Sequence, residues 1–532
     1  MYCYQHTPYY LPETRVCKLF FLLILLYQLN KSKLDVCQSG TLIVCNKLKG
    51  DKMDSFLINE FQVIHKKKIL FSAKFDDSAL SSPLNSIHTT VIIGENGCGK
   101  SYLLSVIASF FQNLDLHLNS TKRVNFRYEN YFVKYLIDGY EYVVDVKNNE
   151  PTFFKNGKII SKDKVILPTK VISISYTVED KFSFTKNDEN QIYSYGGVRT
   201  SSNSTFINSS IKSIIEQIIY HINDVTFKEQ LGKILEFIGF SKKIQIVYES
   251  AINWKNQSSP NKAEKIEEIF ERNLFNDYRQ GKVRKFFNTF SKDDIIYKYF
   301  DMVDQDNKYV IEFYLEENAH SLVDFIENYD FIDGLVSARL LKSPQIKFYK
   351  DDIFDYADAS SGEKQILNTF VRIASYIKGK SLILIDEPEL SLHPKWQSQY
   401  VETLKKIFSE SYNSHVIIAT HSHYLVSDLR PESSSLCHMR MEGKNRIIES
   451  LDYSTYGWSA ENILYNVFRM RTARNMYFAK DLQELMTLVE AKSKNIDLIT
   501  ERKQKLKGYL LNEEDPLNQL IKEVEVYLYD LQ

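Results

Sequence analysis

Three short stretches of this chain carry residues whose order could hold and cleave a nucleoside triphosphate. The first is Gly94-Glu95-Asn96-Gly97-Cys98-Gly99-Lys100-Ser101. Its glycines let the backbone turn tightly, so that its N–H groups point at phosphate oxygens. Lys100 is then placed for the β- and γ-phosphates, and the Ser101 hydroxyl for Mg²⁺. The second stretch, Asp386-Glu387-Pro388, ends an apolar run that starts after Ser381. Asp386 suits a magnesium ion, and Glu387 suits orienting and polarising an attacking water. The third is Thr420-His421-Ser422, after another apolar run. His421 stands where an imidazole could contact a γ-phosphate and report its presence.

Each stretch needs an element to position it. Thr89-Thr-Val-Ile-Ile precedes the glycines and Tyr102-Leu-Leu-Ser-Val-Ile follows Ser101, which predicts strand, loop and helix: the context of a P-loop. Leu382-Ile-Leu-Ile before the two acids predicts a strand buried on both faces, delivering carboxylates at its C-terminal end. Ala359-Ser360-Ser361-Gly362-Glu363 opens a helical pattern through Phe370, Val371 and Ile373, and alone would be an ordinary helix N-cap. His393, His421 and His423 have no spacing that would make a metal site. Strand Val171-Ile-Ser-Ile-Ser is followed by Tyr176-Thr177, and the nearest glutamine is Gln191, so no glutamine is assignable as a link from nucleotide to the remaining fold.

In this order the motifs resemble the ATP-binding-cassette (ABC) ATPases, including their structural-maintenance and Rad50-like branch. The resemblance implies an α/β fold: an ABC-type P-loop ATPase head, a mixed sheet with helices, carrying a helical insertion and a helical C-terminal tail. It implies ATP and Mg²⁺ as cofactors. Gly94, Glu95, Asn96, Gly97, Cys98, Gly99, Lys100 and Ser101 would bind nucleotide, Ser101 and Asp386 the metal, and Glu387 and His421 would be catalytic. Ser360 and Gly362 would touch the γ-phosphate held by a second copy, in a head-to-tail homodimer. The family's signature usually begins with Leu and ends with Gln; here Ala359 and Glu363 stand there. Residues Glu389 to Gln397 occupy the place of the family's D-loop.

Composition bounds what else the chain can be. Its 532 residues hold 67 Lys+Arg against 68 Asp+Glu, a net charge of −1, so any nucleic-acid surface must be a local patch. A hydrophobic content of 44% and charged content of 25% fit a globular protein and exclude a disordered or fibrous one. The six cysteines include no CxxC pair, and four fall before residue 46. The run Leu19–Leu26 is shorter than the about 20 residues a bilayer requires. Residues 1–52 read as a leader or a mis-assigned start, poorly ordered, with a docked N-terminal helix as the alternative. Residues 53–204 read as the first half of the head, 205–345 as a mostly helical insertion, 346–450 as the second half, and 451–532 as a helical tail. Within 124–170, Asp138-Gly139 and Asn156-Gly157 predict hairpin turns. In the insertion, Ile211, Ile214, Ile215, Ile218, Ile219 and Ile222 share one helical face. Lys242-Lys243 and Lys282, Arg284 and Lys285 could touch phosphate backbones or be solvated helix faces. In the tail, Ser459 predicts an N-cap with Asn462 at N3. Asp515-Pro516 predicts another helix start. Between them an imperfect heptad from Leu482 to Ile499 is interrupted by Lys492 and Lys503; this tail could pack on its own domain or dock a partner.

Tyr193-Ser-Tyr195-Gly196-Gly197-Val-Arg199, Glu387-Pro-Glu-Leu-Ser-Leu-His-Pro-Lys-Trp-Gln, Tyr456-Gly-Trp-Ser-Ala-Glu-Asn-Ile-Leu and Arg474-Asn475 together resemble one bacterial group. They are similar to the ATPases of Septu-type anti-phage systems, including those encoded beside retron reverse transcriptases. That resemblance implies a cytoplasmic ATPase, without a membrane partner, that controls a separate HNH nuclease. In retrons it also implies a reverse transcriptase with its DNA–RNA product, so that nucleic acid is met indirectly. A repair or recombination ATPase of the RecF or Rad50 kind would share the same motifs and bind DNA ends directly. An ABC transporter subunit would call for a membrane partner and a clear glutamine loop. No Glu…Asp-x-Asp pattern of a TOPRIM nuclease is present in the tail.

Overall fold

His88–Gly94, Leu382–Asp386 and His415–Ala419 are strands buried almost residue for residue, as unbroken apolar runs must be when both faces are covered. They lie side by side and parallel, with His415–Ala419 between the other two. Val91 and Ile93 enter one hydrophobic core and Ile92 the other, so the period-two alternation of a strand serves helices on both faces. Val171–Ser175 and Tyr193–Tyr195 extend this parallel block beyond the acidic strand. Ser434–Glu442 extends it beyond the P-loop strand.

These belong to a thirteen-stranded mixed sheet among the described residues of a computed structural model. The structure describes residues 55–75, 87–120, 124–177, 179–184, 191–197, 206–252, 264, 266, 268, 280–316, 320–350, 352–408, 413–468, 476–509 and 517–531. The leader at 1–52, Arg199, Arg474-Asn475 and Asp515-Pro516 lie outside them. Past Ser434–Glu442 the sheet continues through Asn445–Ser450 and Lys68–Lys74 into an antiparallel ladder. That ladder runs through Phe56–His65, Asn130–Ile137, Tyr140–Lys147, Glu150–Lys155 and Lys158–Ile160. Asp138-Gly139 has φ of 54° and 74° and Asn156-Gly157 47° and 74°, the left-handed pairs that join strands without splaying them. Asn148-Asn149, at 52° and 66°, makes a further such turn that the sequence reading did not name.

Helix Lys100–Asn119 buries Leu103, Leu104, Ile107, Phe110, Phe111 and Leu114 in the core shared with Phe56, Phe61 and Tyr135. Helix Ser361–Tyr376 and helix Phe206–His221 share the other core, with five of the six expected isoleucines buried in the latter and Ile222 buried just past its end.

The insertion needs correction at its far boundary. It contains helices, but Lys243–Glu249 and Lys308–Tyr314 are strands. They pair with Gln345–Tyr349, which pairs with Ile353–Asp355, in a four-stranded antiparallel sheet that runs across residue 345. Ile244, Ile246 and Tyr248 alternate into the core there, a period-two signal too short to stand out between isoleucine-rich helices.

The tail forms helices Met476–Glu490, Ile496–Lys507 and Leu517–Asp530, with a small core of their own made by Leu485, Ile499, Leu506, Ile521, Val524 and Leu528. Lys492 falls in the turn between the first two, at φ 50°. Lys503 does not interrupt its helix; it reaches Glu525 at 3.4 Å. No described helix is long and apolar enough to cross a membrane.

Candidate active site

The three parallel strands end together, which brings Lys100, Asp386, Glu387 and His421 to one place. Gly94, Gly97 and Gly99 have φ of 159°, 77° and 104°. The last two are left-handed values that a side chain would strain. Gly94 is glycine for space: a Cβ there would lie 2.5 Å from the Met439 carbonyl oxygen. Lys100 is 4% exposed, and its Nζ donates to the Gly94 carbonyl at 3.2 Å. The same ammonium is 2.5 Å from Nε2 of His421, whose ring lies 3.4 Å from Glu387 Oε1. Burial pulls the Lys100 pKa down, opposed by Cys98, Glu387, Asp386 and Glu389. Burial, then the Lys100 charge, lowers that of His421, so the ring is held neutral and can accept from Lys100. Burial also raises the Cys98 thiol.

Asp386 is 2% exposed. The Ser101 hydroxyl bonds its carboxylate, while burial pushes its pKa up to about 6. Its Oδ1 is buried with no hydrogen-bond partner among the described residues. A carboxylate oxygen and a hydroxyl side by side are hard oxygen ligands that suit Mg²⁺, which takes few ligands from protein and the rest from phosphates and water. The residues therefore fit the metal that the motifs imply. Glu387 has φ 52°, a costly conformation for a residue with a Cβ, and its N–H donates to the Ala419 carbonyl at 2.9 Å. Burial, then the neighbouring Glu389 carboxylate, pushes its pKa up to about 9.

Glu389 was not singled out by the sequence reading as a site residue, yet its Oε1 accepts the main-chain N–H of His421 at 2.6 Å. Gln397 locks the same region. Its Nε2 donates to the Leu392 carbonyl at 2.9 Å, and its Oε1 accepts from the Ser422 hydroxyl at 2.6 Å. The segment Glu389 to Gln397 and the His421 loop are thereby tied together. Its position in His393-Pro-Lys-Trp-Gln was the available signal.

Ser360 and Gly362 sit apart from this cluster in their contacts. Ser360 forms a capping box, its Oγ accepting from Glu363 N at 3.2 Å and its N–H donating to Glu363 Oε2 at 2.8 Å. Gly362 packs on the segment Glu389 to Gln397, where a Cβ would come within 2.9 Å of the Ser391 carbonyl. Glu95, Asn96 and Gly97 lie at the exposed lip of the P-loop.

The helix begun by Ser360 carries a polar stripe at i, i+4 and i+7. Gln365 Nε2 donates to the Pro388 carbonyl at 2.8 Å. The Thr369 hydroxyl bonds Tyr176. Arg372 Nη1 reaches the carbonyls of Gly196 and Gly197, both at 2.6 Å. These partners follow the ends of three adjacent strands: Leu382–Asp386, Val171–Ser175 and Tyr193–Tyr195. Tyr176 and Gly196-Gly197 thus tie the ends of two strands to the helix that Ser360 begins. A Cβ on Gly197 would overlap the Tyr195 ring as it now stands.

The basic clusters of the insertion are largely balanced within the chain. Lys242 pairs with Glu236 at 3.1 Å and Glu316 at 2.8 Å, Lys243 with Glu312 at 2.7 Å, and Lys282 with Asp333 at 3.4 Å.

Residues 234–427 match a family model described as "AAA domain, putative AbiEii toxin, Type IV TA system". The match spans less than half of the chain and leaves the P-loop outside. Protein ea59 of Escherichia phage lambda is 32% identical over 132 residues, covering 25% of this chain and 25% of that protein. Septu protein PtuA of Bacillus thuringiensis is 27% identical over 150 residues, covering 27% and 35%. The Retron Vc95 probable ATPase of Vibrio cholerae serotype O1 biovar El Tor is 22% identical over 458 residues, covering 76% and 78%. The chain is thus matched to a quarter of ea59, about a third of PtuA and more than three quarters of the retron protein. The chain is distantly related to Septu PtuA and to the proteins named as retron probable ATPases.

Proposed function

We propose that this chain binds ATP with Mg²⁺ and hydrolyses it between two heads arranged head to tail. Its cycle would control a separate HNH nuclease in anti-phage defence, alongside a reverse transcriptase and its DNA–RNA product where the system is a retron. One observation carries the catalytic part: Asp386 Oδ1 is buried and unpartnered beside Ser101, next to Lys100, Glu387 and His421. A bound Mg²⁺ would supply positive charge at Asp386 and Ser101, favouring ionised carboxylates and neutralising phosphate charge. The chain's own residues do the remainder. P-loop N–H groups and Lys100 bind the phosphates, Glu387 orients and polarises water, and His421 meets the γ-phosphate with a neutral ring. Ser360 and Gly362 complete the partner's site. The defence assignment is supported by the distant relationship to PtuA and the retron ATPases.

The experiment is purification of a tagged Glu387→Gln protein expressed from its own locus with all neighbouring genes. An HNH nuclease recovered with it, with or without a reverse transcriptase and its DNA, is the expected result. Recovery of the ATPase alone, or with chromosomal DNA only, would move the assignment to a repair ATPase.

A further inference from the structure

The P-loop is gripped from outside by a hairpin that no sequence motif announced. Strands Ser434–Glu442 and Asn445–Ser450 run beside it. Met439 meets Gly94 at one end of the loop, and Arg446 meets Gly99 at the other. Arg446 Nε donates to the Cys98 carbonyl at 2.9 Å. A Cβ on Gly99 would lie 2.8 Å from that nitrogen, so Gly99 makes room for the arginine as well as for phosphate. The guanidinium is steadied over the Phe71 ring at 5.4 Å, and no salt bridge to a carboxylate is found for it among the described residues.

We propose that Arg446 is a positioning residue for nucleotide binding, holding the Cys98 carbonyl outward so that the Gly99 N–H faces the phosphate. The reason is peptide geometry. All described peptide bonds are trans, and in a planar trans peptide the C=O of one residue and the N–H of the next point in opposite directions. Fixing the Cys98 oxygen against Arg446 therefore fixes the Gly99 N–H into the loop's concave side. The left-handed Gly97 and Gly99 leave that peptide free to flip, and an arginine donor removes the freedom before nucleotide arrives. Arg446 lies on the carbonyl side of the loop, away from the reacting phosphate, so it acts on affinity and leaves the chemical step alone.

The inference rests on the ATP-binding assignment, and one experiment separates the two. Full-length wild type, Arg446→Gln and Arg446→Lys are titrated with a fluorescent ATP analogue and Mg²⁺, and steady-state hydrolysis and nucleotide-free melting are measured. The Gln variant is expected to bind about tenfold more weakly, the loss of one charge-assisted hydrogen bond, with kcat at saturation within about twofold of wild type. The Lys variant, with a donor but no planar fork, is expected about threefold weaker. It carries the test if Arg446→Gln does not fold. Wild-type affinity in whichever variant carries the test overturns the role of Arg446, as does a fall in kcat with KM unchanged. Wild-type protein that binds no ATP overturns the nucleotide assignment itself.

Discussion

The ammonium of Lys100 and the Nε2 of His421 are 2.5 Å apart, with Glu387 Oε1 3.4 Å from the same imidazole nitrogen. Lys100 can only donate, so His421 accepts through Nε2 and keeps its proton on Nδ1. Phosphate must draw Lys100 away from this neutral ring and from three nearby carboxylates. Lys100→Ala therefore removes the P-loop cation proposed to meet the phosphates. ATP binding should fall at least about a hundredfold, given what truncating a buried charged partner costs. Nucleotide titration checks this, and phage protection should vanish with it.

Glu387→Gln keeps the volume and the strained backbone but cannot take a proton. Turnover should fall at least about a hundredfold while ATP binding persists. Single-turnover hydrolysis against equilibrium binding decides it; wild-type turnover would mean that another carboxylate, with Glu389 first in line, does the work.

Arg372 holds the carbonyls of Gly196 and Gly197 from the helix that Ser360 begins. Arg372→Ala leaves both carbonyls without their donor and uncouples that helix from the end of Tyr193–Tyr195. Maximal turnover should drop about tenfold or more, the cost of losing hydrogen bonds to a charged group, while KM stays within about threefold. Equal losses of stability and turnover would reduce Arg372 to a packing role.

Ser360 has a local job that its proposed role across a dimer must be separated from. Ser360→Ala should cost about 1 kcal/mol of stability through the lost cap. Ser360→Asp keeps a good cap, so stability should survive, yet it sets a carboxylate toward the partner's γ-phosphate. ATP-driven dimerisation, read by light scattering on a Glu387→Gln background, should then be lost. A dimer that forms normally in Ser360→Asp would confine Ser360 to capping.

His415 is fully buried, with Nδ1 accepting Ile58 N–H at 3.1 Å and Nε2 2.8 Å from the Thr90 hydroxyl. Burial first, then His88, holds its pKa well below the ordinary 6.5. The folded state keeps it neutral while the unfolded chain takes a proton below about pH 6.5, so stability falls with pH by up to about 1.4 kcal/mol per unit. Asp386 and Glu387 act in the opposite sense: their raised pKa values let the folded state hold protons the unfolded chain has released, so stability rises as pH falls. The difference between wild type and His415→Asn isolates the histidine. Denaturant unfolding from pH 7.5 to 4.5 should show that difference shrinking below pH 6.5; parallel curves would refute it.

The sequence by itself determined the strands and loop that carry chemistry. Unbroken apolar runs ending in Gly94, Asp386 and Thr420 are buried strands for a local reason, since only a covered strand can hold such residues, and left-handed turns at Asp138-Gly139 and Asn156-Gly157 follow from residue type. Helix Phe206–His221 was equally legible, because its five isoleucines from Ile211 to Ile219, at helical spacing, must share one buried face. Tertiary structure alone decided what meets those elements from far along the chain. Arg446 against Cys98, Arg372 against Gly196, Glu389 against His421 and Gln397 against Ser422 join separate loops or helices. A side-chain donor finds its carbonyl only after sheet order is set, and sheet order depends on long-range pairing that no local pattern encodes. The strands Lys243–Glu249 and Lys308–Tyr314 were hidden for the same reason. Each is seven residues long and stable only once paired with strands far away in sequence, and Lys308–Tyr314 is exposed along one face.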